Sequence, residues 1–122
     1  MIKTIFIGRY EVGVDGKGRL KLPGDFLATL GNDAFSLDWP ESYGSPYVAL
    51  HPAGRSSEYV LVPDTSGRIV LPEHALQHAG ISDKAVLLGM TKWVELWEPE
   101  LFQAQIDVGR QEFAKYRMRV LV

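Results

Sequence analysis

The chain has 122 residues and a mass of 13.6 kDa, enough for one compact domain or two small halves sharing a core, and its 46% hydrophobic and 23% charged residues are the balance of a globular protein. The absence of cysteine excludes a disulfide framework, a thiolate zinc site and a cysteine nucleophile. A net charge of −2 with a pI near 5.9 excludes a uniformly basic surface, so any nucleic-acid contact must come from a local patch.

The opening run Ile5-Phe6-Ile7 is apolar but is interrupted at Arg9 and Glu11, too soon for a signal-peptide core. No stretch approaches the roughly 20 apolar residues that span a bilayer, so a cytoplasmic protein is expected. Glu11 to Asp15 alternates apolar and polar residues, which predicts a half-buried strand with Val12 and Val14 on one face. Asp15-Gly16-Lys17-Gly18 predicts a turn, because the aspartate can accept backbone hydrogen bonds and glycine tolerates positive φ. Arg19-Leu20-Lys21-Leu22 alternates again, with the leucines inward and the cations outward. Pro23 ends that strand and suits the first turn of a helix whose apolar face is Phe26, Leu27 and Leu30, with Gly31 as its stop. Strands Ala34–Asp38 and Tyr47–His51 follow, joined by the loop Trp39–Ser45. Pro52 to Ser57 is the expected linker.

The same grammar then returns. Residues 10–31 lie over residues 59–80, so that Tyr10, Asp15, Gly18, Arg19, Leu22, Pro23, Leu27 and Gly31 recur as Tyr59, Asp64, Gly67, Arg68, Leu71, Pro72, Leu76 and Gly80. These matches fall on turn, charge and helix-boundary positions, which indicates duplication of one small unit. The second copy predicts a strand to Asp64, a turn through Gly67, a strand Arg68–Leu71, a helix from Pro72 to Ala79, and strands Ala85–Gly89 and Trp93–Trp97 joined by a tight turn around Thr91. Trp93 and Trp97 flank Glu95 on one face, with Val94 and Leu96 on the other, as in a strand buried on both sides. A final helix starts near Pro99, with Leu101, Phe102, Ile106, Phe113 and Tyr116 along one side, and the tail Arg117–Val122 mixes charge and apolar residues. A β-β-α-β-β unit of this size is too small to fold alone, so the two copies are expected to share one core around a pseudo-twofold axis.

The motif able to carry function is the doubled Asp-x-x-Gly-Arg. In both copies an arginine begins a strand directly after a turn, on the face away from the core, where a guanidinium can reach phosphate or a guanine edge. Lys17 and Lys21 surround Arg19. The first 31 residues hold five Lys/Arg against three Asp/Glu, whereas residues 32–64 hold one against five, so the overall acidity conceals a polarised chain. The alternative is a local salt bridge that merely braces a hairpin. Ser66 and Val70 stand where Lys17 and Lys21 stand, which makes the second copy less basic.

The doubled pattern DGKGRLKLP and DTSGRIVLP, followed by HALQHAGISDKAVLLGMTKWVELWEPELF, resembles the MraZ family of bacterial transcriptional regulators. The resemblance covers nearly the whole chain and is densest from Gly67 to Phe102. It implies a mainly β (α+β) fold of two tandem AbrB-like swapped-hairpin units forming one pseudo-twofold domain, with residues 1–54 as the first unit, 55–98 as the second, and 99–122 as a C-terminal helix and tail. It further implies a DNA-binding regulator of the division and cell-wall gene cluster. Such a regulator binds short direct repeats in promoter DNA as a cyclic homo-oligomer at the nucleoid, without cofactor, metal, membrane or small-molecule substrate. The DNA-contacting residues it implies are Arg19 and Arg68, with Lys17 and Lys21 beside them, and Asp15, Gly18, Asp64 and Gly67 hold the turns. The chain departs from the family in its short connection at 52–57 and in Pro63 directly before Asp64. Those departures, Ser66 and the acidic middle support an alternative: an AbrB-like interaction or assembly protein without DNA binding.

Enzymatic readings are weaker. His74 and His78 lie four apart on a helix and could face one metal ion in a small hydrolase, but no third ligand is near them in sequence. His51 has no sequence-level partner for a catalytic pair. Ser56, Ser57 and Ser66 lack the G-x-S-x-G turn, and Gly13, Gly16 and Gly18 do not make a G-x-G-x-x-G loop.

Overall fold

A computed structural model of the chain describes residues 5–38, 46–52 and 59–121, with side chains through Gln111. The elements run β1 (Arg9–Gly13), β2 (Arg19–Lys21), α1 (Gly24–Leu30), β3 (Phe35–Asp38), β4 (Val48–Pro52), β5 (Tyr59–Leu61), β6 (Arg68–Val70), α2 (Glu73–Ala79), β7 (Lys84–Gly89), β8 (Val94–Trp97) and α3 (Pro99–Leu121). The expected loop at 39–45, the linker residues 53–57 with Ser56 and Ser57, the side chains of Phe113 and Tyr116, and the tail side chains from Arg117 lie outside what is described. Among the described residues, no helix is long and apolar enough to cross a membrane.

The protein is mainly β, with an antiparallel sheet ordered β1-β7-β8-β4-β3-β5 and a separate ribbon of β2 and β6. The pairing crosses between the two copies: β1 of the first copy pairs with β7 of the second, and β5 of the second pairs with β3 of the first. Tyr10 stands opposite Leu87 as its mate Tyr59 stands opposite Leu37. Leu20 faces Ile69 in the ribbon and Ala49 faces Glu95 at the middle of the large sheet, so a pseudo-dyad runs through both pairs. Each half therefore completes the other's sheet, which is why neither has a core of its own.

Alternation along the strands gives the large sheet two faces. Phe35, Leu37, Leu50, Ala85, Leu87, Val94 and Leu96 point to one side, where they bury against Leu20, Leu22, Ile69 and Leu71 of the ribbon and against Phe26 and Ala75 of the short helices. Phe6 and Phe26 meet edge-on at 5.7 Å between centroids, and Phe6 lies 5.8 Å from Phe35. Burial of each such ring stabilises the fold by about 1.5–3 kcal/mol. On the opposite face Val86 and Trp97 receive Phe102 of α3, with Leu101 and Ile106 alongside. That helix starts where the sequence requires: Glu98 accepts the N–H of Glu100 at 3.1 Å and of Leu101 at 2.8 Å, and Pro99 supplies the first helical position. Glu95, also on this face, is buried and accepts the indole N–H of Trp97 at 2.9 Å and of Trp93 at 3.2 Å.

Several strand ends differ from expectation: β5 stops at Leu61 rather than Asp64, Pro52 closes β4 rather than opening the linker, and the clearest shift is in β1. The first strand spans Arg9–Gly13 rather than Glu11–Asp15, because its ladder begins where Leu88 lies opposite Arg9 and closes at Lys84. Val14 remains inward and its N–H still donates to the Asp83 carbonyl at 2.8 Å.

Candidate nucleic-acid interface

The two turns are close copies. Asp15 Oδ1 accepts the backbone N–H of Lys17 and of Arg19, both at 2.9 Å. Asp64 Oδ1 accepts those of Ser66 at 2.8 Å and Arg68 at 2.9 Å. Bonds from these amides favour the ionised form, as do the Arg19 and Arg68 guanidiniums nearby. They hold the Asp15 carboxyl at about 2, against an ordinary value of 3.8, and lower Asp64 as well. Gly18 and Gly67 both sit at φ +79, where a side chain is strained. Each turn is also tied to the other copy: the Leu71 N–H donates to the Gly18 carbonyl and the Leu22 N–H to the Gly67 carbonyl, both at 2.9 Å.

These bonds extend the β2–β6 ladder by one pair at each end, and the buried Leu20, Leu22, Ile69 and Leu71 seat the ribbon on the core. Leu20 and Ile69 face inward, and Arg19, Lys21, Arg68 and Val70 all face out. Arg19 lies opposite Val70 and Lys21 opposite Arg68, so cations from both copies share one face. Arg19 Nε donates to Asp15 Oδ2 at 2.7 Å while 47% of its side chain stays exposed. An ion pair that open to water adds little stability. Its consequence is orientation: with Nε held, the four N–H groups on the two terminal nitrogens are left to face outward. Arg68 makes no ion pair among the described residues. A shallow cavity of about 430 Å³ beside the ribbon is lined by Arg19, Lys21 and Arg68 together with Asp15 and Asp83.

The structure thus brings Arg19, Lys21 and Arg68 together and leaves Lys17 apart. Lys17 lines a separate cleft with Gly16, Glu73, Leu76 and Gln77, toward α2. Sequence reasoning missed Asp83, which reaches the ribbon only because β1 pairs with β7, and it gave Val70 no role beyond the absence of a charge. His74 is exposed, and no cluster of possible metal ligands occurs among the described residues. A two-stranded antiparallel ribbon fits the major groove of B-DNA, and three outward cations on it can meet phosphates and guanine edges.

A family profile described as "MraZ protein, putative antitoxin-like" matches residues 56–121. The chain is similar to the transcriptional regulator MraZ of Herpetosiphon aurantiacus, with 32% identity over 125 aligned positions covering 84% of this chain and 87% of that protein. It is likewise similar to the transcriptional regulators MraZ of Rickettsia canadensis, at 26% identity, and Rickettsia rickettsii, at 23%, each alignment covering 88% of this chain and 91% of the relative.

Proposed function

The chain belongs to the MraZ family of transcriptional regulators, and we propose that it acts on transcription by laying the β2–β6 ribbon in the major groove of promoter DNA. The observation that carries this reading is the convergence of Arg19, Lys21 and Arg68 on one exposed face of a ribbon whose other face, Leu20 and Ile69, is buried in the core shared by both copies. Arg19 and Arg68 are the contacts to guanine edges or phosphate, Lys21 adds to them, and Lys17 contributes from the side of the turn. Asp15, Gly18, Asp64 and Gly67 hold the turns that aim them.

The finer parts of the reading follow family likeness. The targets are short direct repeats upstream of the division and cell-wall gene cluster. The acting form is a cyclic homo-oligomer at the nucleoid, built from tandem units 1–54 and 55–98 with 99–122 as an appended helix and tail. A ring presents several ribbons to one duplex, and the resulting effective concentration offsets the few charges each chain offers. The chain then works without catalysis or a cofactor.

The test is a mobility-shift titration on the region upstream of the protein's own gene. Arg19→Ala is expected to weaken specific binding by about 1–3 kcal/mol per contact while the circular dichroism spectrum is unchanged. Unchanged affinity in both Arg19→Ala and Arg68→Ala would remove the ribbon from DNA recognition. One observation favours the alternative of an oligomeric interaction protein without DNA binding: Asp15 occupies Arg19, and Asp83 lies beside the same cations, so the local positive charge is small. A defined oligomer with no protected repeats in a footprint would support that reading instead.

A further inference from the structure

The pseudo-dyad of the ribbon is obeyed by its core and broken on its outer face. Leu20 maps onto Ile69 and Arg19 onto Arg68, but Lys21 maps onto Val70. One end of the face therefore carries Arg19 beside Val70, and the other carries Lys21 beside Arg68. Directly opposed residues on one face have Cβ atoms about 4.5–5.5 Å apart, so each end is a single recognition unit. The two ends are about 7 Å apart along the strands, close to two base-pair steps. Val70 is 52% exposed and stands directly across the ribbon from Arg19.

In the major groove the one exposed apolar group on a base edge is the thymine C5-methyl, and guanine offers the paired acceptors that suit arginine. We propose that Val70 is a specificity-determining residue that packs on a thymine methyl next to the guanine taken by Arg19, whereas the Lys21–Arg68 end takes acceptors alone. This rests on the ribbon reading DNA as proposed above. A ribbon of exact twofold symmetry would prefer a palindromic site, since operator symmetry mirrors protein symmetry. Exchanging one lysine for one valine gives the ribbon a direction, and each bound chain then reads an asymmetric element in one orientation.

The experiment is selection of binding sites from a random duplex pool by the full-length protein, by Val70→Ala and by Lys21→Val, followed by titration on the selected site with deoxyuridine in place of thymine. The wild type is expected to select asymmetric sites with a thymine at a fixed place beside a guanine. Deoxyuridine at that place should weaken its binding about fourfold, the worth of one buried methyl, and leave Val70→Ala unaffected. Lys21→Val, whose outer face is twofold symmetric, should shift the selected sites toward inverted symmetry. Symmetric sites for the wild type, or an equal deoxyuridine effect in wild type and Val70→Ala, would overturn the assignment of Val70 while leaving DNA binding by the ribbon intact. If the folded wild type selects no sequence at all, the proposed function fails and this inference fails with it.

Discussion

Alanine at Gly18 and alanine at Gly67 should destabilise the protein unequally, although the two turns are near copies. Both glycines lie at φ +79, so both substitutions incur the left-handed penalty of about 1–2 kcal/mol. The surroundings then differ. A Cβ on Gly18 would stand 2.6 Å from the carbonyl oxygen of Leu71, which is backbone, and Leu71 is itself bonded to Gly18. Relief there must move two crossing strands, at about 1–3 kcal/mol for overpacking and about 1 kcal/mol for the weakened hydrogen bond. A Cβ on Gly67 would stand 2.6 Å from Leu27 Cδ1, the far end of a half-buried side chain that can turn aside. That adjustment costs about 0.5–1.5 kcal/mol. The expected totals are roughly 3–6 kcal/mol for Gly18→Ala and roughly 1.5–3.5 kcal/mol for Gly67→Ala. Urea unfolding at one fixed protein concentration, with the slope unchanged, reads the difference as separate midpoints. Coincident midpoints, or a larger loss in Gly67→Ala, would refute the idea that the two ties into the opposite copy are unequal.

Two further outcomes are expected. The Asp15 carboxyl is lower in the folded state (about 2) than its ordinary 3.8, so its contribution to stability is complete above about pH 4 and is lost as pH falls through about 2. Asp15→Asn should flatten the stability profile across that window, and a profile with the same slope as the wild type would contradict the assignment. Glu95→Gln leaves a single carbonyl oxygen where two oxygens now accept from Trp93 and Trp97. One indole N–H loses its acceptor, so a loss of about 1–3 kcal/mol with altered tryptophan emission is expected, and unaltered stability and emission would show that the clamp carries no weight.

What was legible in the sequence was local. Asp15 and Asp64, with Gly18 and Gly67, marked the turns because a carboxylate and a positive-φ residue act over four positions. Pro23, Pro72, Gly31 and Gly80 bounded the helices for the same reason. Alternation also placed Arg19 and Lys21 outward and Leu20 and Leu22 inward. The partner of each strand was not legible, because a half-buried strand has the same period whichever neighbour it takes. The start of β1 at Arg9 depends on Leu88, far along the chain. So does the arrival of Asp83 beside the cations, and so does the meeting of Lys21 with Arg68 across the ribbon. The spacing of Trp93, Glu95 and Trp97 put them on one face, but the docking of Phe102 and Tyr47 against Trp97 explains why that face is buried.

Carrying both halves in one chain lets dyad mates differ, and where they differ follows the physics of each face. Leu20 and Ile69 share one close-packed layer, so a change in one must be matched by the other, and both remain bulky and aliphatic. On the far face of the sheet no such coupling holds. Val86 and Trp97, which receive Phe102, have Ser36 and His51 as mates, and Glu95 has Ala49. Val86 and Trp97 lie where Phe102 of α3 packs, and the polar Ser36 and His51 stand at the dyad-related place. The outer face of the ribbon shows the same freedom without a covering element to explain it, since Lys21 and Val70 are both exposed. On the proposed reading, this asymmetry beside the outward Arg19, Lys21 and Arg68, which the packing neither requires nor forbids, is where recognition rather than stability sets the residue.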